Sequence, residues 1–412
     1  MNDRFYNAEV PSHVPGSLVH DFNIFDYETA DPFEAAGDLL KKGLPDVFWT
    51  RNNGGHWIAL GAESVQGVLA APRVFSSTRL MLPDSQNPAA KSFPPVDTDP
   101  PYHKAARGAV APLFTPQRIA AMNNDIRSLT RELIEPIKHK QECEFIDDFA
   151  APLPGTLFLR LMEMPLEDRE KLRLLHKRIL NPVHDSHRAV PLQEMWDYIE
   201  PYVRERMAHP GNDPISYIAQ QEVDGRRFEL DEIVKIVGTV LRGGTGTTIG
   251  MLAYFARYLA DNPAIRENLR EHPEGIGRMV EEIIRRFPLS TVARFVINDT
   301  VFRGVSMKAG DHVAWSVGMY NFDERKFTNP MAVDIGRSNS GHASFGLGIH
   351  ACLGQHLARA ELRIFAEEWL REIPEFHVKP GAHIGYLKGI MIAYDALPLV
   401  IGGKPLASRA AI

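Results

Sequence analysis

The chain has 412 residues, 44% apolar and 24% charged, which is ordinary globular usage and long enough to bury a large core. Lys plus Arg total 46 against 52 Asp plus Glu, and the net charge of −6 gives no reason to expect binding to nucleic acid or to an anionic membrane. No run of 18 apolar residues occurs, since the best stretch, near 236–260, is broken by Arg242 and Arg257, and the N-terminal MNDRFYNAEVPSHVPG lacks the apolar centre of a secretory signal.

The first fifty residues, rich in Pro, Gly, Asp and Phe, read as irregular. Val47–Leu60 (VFWTRNNGGHWIAL) reads as a hairpin, because two aromatic and apolar runs flank the turn residues Asn52-Asn53-Gly54-Gly55. Leu82–Pro101 holds six prolines and no sustained helical period, so it reads as a long loop. Helical spacing then dominates over 102–112, 116–138, 155–162, 166–180, 191–208, 229–260, 263–271 and 273–286. Pro263, after Asp261-Asn262, suits a helix start. Beyond Pro288, the stretches 292–301, 305–307 and 311–317 read as short strands, 355–372 as helix, and 376–401 again as strands. No repeat, low-complexity tract or clean linker interrupts the chain. The expectation is one mainly α domain over 1–412, a large helical body with small β-sheets near the N-terminal hairpin and in the C-terminal third.

The two cysteines, Cys143 and Cys352, are too few for a disulfide scaffold or a four-thiolate zinc site, so a cytoplasmic, reducing setting is expected. Cys143 lies between acidic residues, which discourage a thiolate, and receives no role. Cys352 lies in Phe345-Gly-Leu-Gly-Ile-His-Ala-Cys-Leu-Gly354, where three glycines suit a backbone that turns tightly or approaches something closely. A helix follows at once, and its N–H groups favour a thiolate. A small buried hydrophobe is the bland alternative for such a cysteine. The segment resembles the heme-ligand signature of the cytochrome P-450 family, F-x-x-G-x-x-x-C-x-G, with Phe345, Gly348, Cys352 and Gly354 at its fixed positions. The resemblance implies heme b (iron protoporphyrin IX) with its iron ligated by Cys352.

That family implies three further landmarks. Glu282-Ile-Ile-Arg285 matches its E-x-x-R helix, where the pair is buried with a third arginine, here Arg337; taken alone, such a pair is usually a solvated surface contact. His103 and Arg107 share one helix face, which would otherwise read as solvated; the resemblance brings them, with Arg294 and His350, to the heme propionates. Leu241–Gly250 places four glycines inside a helix, at a cost of roughly 0.5–1 kcal/mol each. A Thr247 side chain bonded back to the Gly243 carbonyl can bend or open the helix and leave a groove; close helix packing is the structural alternative. The family's oxygen-binding pattern, (A/G)-G-x-(D/E)-T-T, is matched by Gly243, Gly244, Thr247 and Thr248, but Gly246 stands at the acidic position.

The resemblance runs from about Val10 to Ile401, covers the cytochrome P-450 fold as a whole, and is similar to the bacterial camphor hydroxylase subgroup in Asp99-Pro-Pro, Asp148-Phe-Ala-Ala-Pro152, Cys352–Arg359, Glu372–Phe376 and Ala396–Val400. It implies a monooxygenase that splits O2, with Gly243, Gly246 and Thr247 forming the oxygen groove. It implies electrons from a two-iron, two-sulfur ferredoxin reduced by an NADH-dependent ferredoxin reductase. Lys104, Arg107, His356, Arg359 and Arg363 are candidates for a basic docking face, or for an ordinary solvated one. Candidate substrate contacts are Leu80, Met81, Phe93, Thr239, Arg242, Gly243, Ser290, Val292, Ile390 and Met391. No tyrosine occurs in 78–98, so the carbonyl-binding phenol of the camphor type has no counterpart, and a small hydrophobic terpenoid or ionone-like norisoprenoid is expected. Rival readings are a peroxide-driven peroxygenase and a heme-based sensor or binding protein without turnover.

Overall fold

The computed structural model describes residues 7–26, 31–82, 93–180, 189–337, 341–387 and 389–402. Helices dominate. In chain order they are α1 (Glu34–Lys41), α2 (Ala62–Leu69), α3 (Tyr102–Val110), α4 (Pro116–Ile137), α5 (Pro152–Leu161), α6 (Arg169–Leu180) and α7 (Ala189–Ala208). Then follow α8 (Pro214–Ala219), α9 (Leu230–Asp261), α10 (Pro263–Glu271), α11 (Ile276–Arg286), α12 (Gly318–Asn321) and α13 (Gln355–Glu372). No helix among the described residues is long and apolar enough to cross a membrane.

The axis of the molecule is α9, which at 32 residues is about 48 Å long. A capping box between Glu229 and Glu232 closes its N-terminus. It packs against α5, α7, α10, α11 and α13. Its buried residues run from Ile233 to Ala260 with a break at Arg242–Thr245, so it is a core helix with one less buried turn. Beside it, α13 carries Phe365 and Trp369 into an aromatic cluster with Phe145, Phe149 and Phe376.

The main sheet has five strands in the order 47–50, 56–59, 312–316, 291–296 and 75–76. The N-terminal hairpin forms as read, with Val47 opposite Ala59 and Thr50 opposite His56. Asn53, Gly54 and Gly55 all have positive φ, which these residue types tolerate. Strand 312–316 is central and pairs Val313 with both Trp57 and Arg294. That register holds Arg294 in the middle of the molecule. A second sheet pairs Phe376–Val378 with Pro398–Ile401 and the latter with Glu142–Glu144.

Several boundaries differ from the sequence reading. The stretch 292–301 is two strands, Thr291–Val296 and Thr300–Phe302, and the second turns back on Val305–Met307 through Arg303 and Gly304, both at positive φ. Helix α5 starts at Pro152, because prolines are at home in a first turn. Helix α11 begins at Ile276 after a 3-10 turn over Pro273–Gly275, and a similar turn, Leu166–Asp168, precedes α6. In the expected loop 82–101, residues 83–92 lie outside the described set.

Candidate active site

Between α9, α13 and the main sheet lies a cavity of about 400 Å³. Cys352 lines it and is the exposed one of the two cysteines; Cys143 is buried in its strand, where burial pushes its thiol up to about 12. The loop before Cys352 is shaped by Gly346 and Gly348 at φ +68° and +69°. A Cβ on Gly348 would stand 2.9 Å from the Leu69 carbonyl, so that position requires glycine twice over. The Cys352 N–H donates to the Phe345 carbonyl at 2.7 Å, and the Arg359 guanidinium caps the Phe345 ring at 4.5 Å. Helix α13 begins at Gln355. Burial raises the thiol pKa, while the amides of Gly354 and Gln355 and the charges of Arg107 and Arg359 act the other way. A coordinated metal deprotonates such a thiol outright.

On the sheet side, four cation-forming groups converge. His103 and His350 have ring centroids 4.2 Å apart. Arg107 bonds the Ala351 carbonyl, and Arg294 bonds the Ala293 carbonyl at 2.8 Å. Burial lowers Arg294 to about 10. Burial, with the charges of Arg294, His103 and Arg107, drives His350 down to about 3, and burial with Arg107 lowers His103. Asp99, the carboxylate beside this group, bonds the Ser77 amide at 2.9 Å and Ser76 Oγ, while Ser77 Oγ shares a hydrogen bond with His350 Nε2 at 2.9 Å. His103 Nε2 is buried without a partner. The Arg107 and Arg294 guanidiniums, with two imidazoles that burial and these charges keep neutral but able to donate, form a set suited to an anion. Arg107, Arg294 and His350 line the cavity; His103 stands behind His350 and is not part of the wall.

Across the cavity, α9 presents Gly243 and Thr247, both exposed to it. Thr247 Oγ1 donates to the Gly243 carbonyl at 3.0 Å, as the sequence suggested. The helix is continuous through this turn, so the groove arises from missing side chains and not from a break. A Cβ on Gly243 would meet nothing within 4 Å. One on Gly244 would overlap the Phe158 ring of α5. Groove and close packing are therefore both present, on adjacent glycines. Gly246 is on another face and borders a second cavity instead.

Of the expected substrate contacts, Leu80, Thr239, Gly243, Ser290 and Val292 line the main cavity. Met81, Phe93, Arg242, Ile390 and Met391 do not; Arg242 and Met391 border the second cavity, and Ile390 is exposed. Arg242 stacks over the Phe93 ring at 3.5 Å and lies near the Asp97 carboxylate. Pro95 and Val96 line the main cavity in place of Phe93. They follow it in the same proline loop, the signal that marked that loop. Phe158, Ser77 and Glu361 were not singled out from the sequence. Glu361 lines the cavity wall on α13 with both oxygens lacking a hydrogen-bond partner, and burial raises its pKa well above the usual carboxylate range.

Behind the cysteine loop, Glu282 accepts from Arg285 Nε at 2.8 Å and from Arg337 Nε at 3.0 Å, and all three residues are largely buried. Burial opposes the Glu282 charge, but bonds from Arg285, the Asp334 amide and Arg337 outweigh it and hold the carboxyl below its usual range. On the outer face, Arg359 is held by Glu281 at 2.6 Å and Arg363 by Glu367 at 2.8 Å. The basic face is weaker than the sequence implied.

A flat cofactor carrying two acidic arms, with iron able to take one thiolate, answers both the exposed sulfur and the cavity-facing donors Arg107, Arg294 and His350. This is the arrangement of a heme-thiolate protein. Residues 276–382 match the family model described as Cytochrome P450. The chain is 30% identical to "Probable cytochrome P450 127A1" of Sinorhizobium fredii, over 92% of this chain and 95% of that one. It is 32% identical to "Cytochrome P450(BM-1)" of Priestia megaterium, over 79% and 82%. Among solved structures, CYP101C1 superposes with a TM-score of 0.87 at 34% identity, covering 96% of this chain and 100% of that one. CYP101J2 gives 0.88 at 30% identity, with the same coverage. The chain belongs to the cytochrome P450 family, close to the bacterial camphor-type subgroup. It is therefore an oxidoreductase of the monooxygenase class whose cofactor is heme held through a cysteine thiolate, and such an enzyme requires O2 and a redox partner.

Proposed function

We propose that the chain is a single-domain, cytosolic monooxygenase that hydroxylates a small terpenoid or ionone-like norisoprenoid, with electrons from a two-iron, two-sulfur ferredoxin and its NADH-dependent reductase. The observation that carries the reading is the cavity itself: Cys352 on one wall, Gly243 and Thr247 on another, and mostly apolar residues between. Bound heme supplies the oxidising chemistry in which one atom of O2 enters a substrate C–H bond and the other leaves as water. Cys352 holds the iron. Arg107, Arg294 and His350 hold the acidic arms by charge-assisted bonds, with His103 behind them. Leu80, Val96, Val292 and Leu289 exclude water and seat an apolar substrate. Ser290 and Thr239 are the polar groups at that wall, suited to orienting one substrate oxygen. Thr247 holds a hydroxyl proton at the cavity edge, where it donates to small ligands when it leaves the Gly243 carbonyl.

Reduced protein under carbon monoxide tests the ligand assignment. Wild type and Cys143→Ala give the strongly red-shifted Soret band of a thiolate complex, and Cys352→Ala loses it. A normal band in Cys352→Ala removes the assignment. Product formation with NADH and the ferredoxin pair, with peroxide alone, and with neither distinguishes monooxygenase, peroxygenase and non-catalytic protein. Peroxide-driven turnover is the second reading, favoured by Gly246 where the family pattern carries an acid. Soret shifts across a terpenoid panel then narrow the substrate.

A further inference from the structure

The wall suited to the acidic arms of heme has a buried polar layer behind it. Ser76 ends the strand 75–76, opposite Phe295, and Ser77 follows it; both are buried. Asp99, just before α3, accepts from the Ser77 N–H at 2.9 Å and from Ser76 Oγ, and its carbonyl accepts from the His103 N–H at 3.0 Å. One residue thus ties the strand to the helix that carries Arg107. Ser77 is not part of the cavity wall, but its Oγ is 2.9 Å from Nε2 of His350, which is.

His350 is held from three sides besides. It ends the 3-10 turn Gly348–His350, Arg107 holds the next carbonyl, that of Ala351, and the His103 ring packs against its own at 4.2 Å. Ser77 takes Nε2, so Nδ1 is the ring nitrogen left to meet a ligand. Which nitrogen bears the proton follows from the hydroxyl. Among the described residues, Ser77 Oγ and the His350 ring have no hydrogen-bond partner but each other. Donation from Oγ–H to Nε2 satisfies both groups and leaves the ring proton on Nδ1. A proton on Nε2 would turn the bond round and strand the hydroxyl hydrogen in a buried site. In a neutral ring it would also point the Nδ1 lone pair at an arriving carboxylate.

We propose that Ser77 is a positioning residue for heme: it sets the His350 tautomer so that a neutral imidazole offers Nδ1–H to one acidic arm, and Asp99 holds Ser77 in place. Arg107 and Arg294 supply charge at the same wall. His350 adds one directed donor and no further charge. The inference rests on the heme contact assigned to His350.

NMR of the 15N-histidine-labelled, reduced holoenzyme under carbon monoxide, a diamagnetic complex, reads the tautomer without any change to Ser77; His350→Phe identifies the signal by its loss. His350 shows a protonated Nδ1 and an unprotonated Nε2, and Ser77→Ala moves the pattern toward the Nε2–H form or a mixture of the two. Heme transfer from the ferric holoenzyme to excess apomyoglobin is the second measurement. Ser77→Ala speeds it by about threefold or more, and in a His350→Phe background, itself faster than wild type, the same substitution adds nothing. A wild-type His350 protonated at Nε2, or at both nitrogens, overturns the proposal. So does a Ser77→Ala protein that keeps the wild-type transfer rate. A His350→Phe protein that holds heme as tightly as wild type strikes the heme contact itself, and the proposal with it, so the two failures are distinguishable.

Discussion

Glu282 and Arg337 are 55 residues apart in sequence, yet the Arg337 Nε donates to Glu282 Oε1 at 3.0 Å. Arg285 shares the same oxygen at 2.8 Å and spends its other nitrogens on the carbonyls of Pro330 at 2.6 Å and Ala332 at 2.7 Å. One carboxylate thus ties α11 to the segment leading to the cysteine loop. Removing it leaves two largely buried guanidiniums with no anion between them. Glu282→Gln should cost about 3–5 kcal/mol, the usual penalty for breaking a buried pair from one side. Arg337→Ala should cost less, because the Glu282–Arg285 pair survives. Urea unfolding of the three proteins checks the order; equal midpoints for Glu282→Gln and wild type would contradict the role.

Glu282, Arg285 and Arg337 were legible from the sequence only through family resemblance, since charges at i, i+3 read equally well as surface. The Cys352 loop was legible as a tight, glycine-shaped turn before a helix, and the structure shows what two of its glycines do, but its role as a heme ligand came from the family signature. The longer helices α3–α7, α9–α11 and α13 followed from apolar spacing, with first-turn errors at α5, α6 and α11, whereas α8 and α12, six and four residues long, are too short to show a period and were missed. What spacing could not give is which face of α9 meets which cavity. Thr247 and Gly246 are neighbours in sequence and open onto different spaces. Arg242 similarly reads as a substrate contact when only its sequence position is considered. Its partners, Phe93 and Asp97, come from a proline loop whose path no local pattern specifies.

Asp97 gives a pH prediction. Burial raises its carboxyl to about 6 from an ordinary 3.8, against the opposing pull of the Phe93 amide and the Arg242 and Lys235 charges. Both carboxyl oxygens accept from the Phe93 N–H at 2.8 Å, so the group pins the loop that Arg242 covers. A folded-state pKa above the unfolded one means that the folded state binds the extra proton. The stabilisation is full below pH 3.8 and is lost as pH rises through about 6. The span is worth at most about 3 kcal/mol. Asp97→Asn, neutral throughout, should lack this component. Comparing unfolding free energies of wild type and variant between pH 4 and 7 measures it, and a constant difference across that range would show that Asp97 titrates normally.

Thr247 gives a prediction on coupling. Its hydroxyl is the polar side-chain group that α9 sets beside Gly243 at the mouth of the groove, and its present partner is the Gly243 carbonyl at 3.0 Å. Gly246 faces the other cavity, so it supplies nothing to this hydroxyl. Thr247→Ala should therefore lower product formed per NADH several-fold and raise free hydrogen peroxide, while Thr247→Ser should retain most of the coupling. Loss of one hydrogen bond from an exposed residue costs at most about 1 kcal/mol, so neither variant should melt much earlier. Full coupling in Thr247→Ala would place proton delivery elsewhere in the cavity.

Gly243 and Gly244 make the most direct test of how α9 is rotated. Either glycine gains about 0.5–1 kcal/mol of helix propensity on becoming alanine, so propensity alone predicts that both substitutions stabilise. Their surroundings separate them. At Gly243 the added methyl meets nothing within 4 Å and stands in the groove beside Thr247. Gly243→Ala should fold at least as well as wild type and bind carbon monoxide and imidazole more weakly, because the methyl occupies ligand space. At Gly244 the methyl would overlap Phe158, which is 3% exposed. Gly244→Ala should lose about 1–3 kcal/mol through overpacking, because the ring or the helix must shift to admit the methyl. The clash belongs to one pair, so it should disappear when the ring is removed. Gly244→Ala made in a Phe158→Ala background should cost nothing further, and the non-additivity of the double mutant is the quantity to measure. Additive losses would mean that Phe158 does not lie against Gly244, and α9 would then present a different face to each cavity.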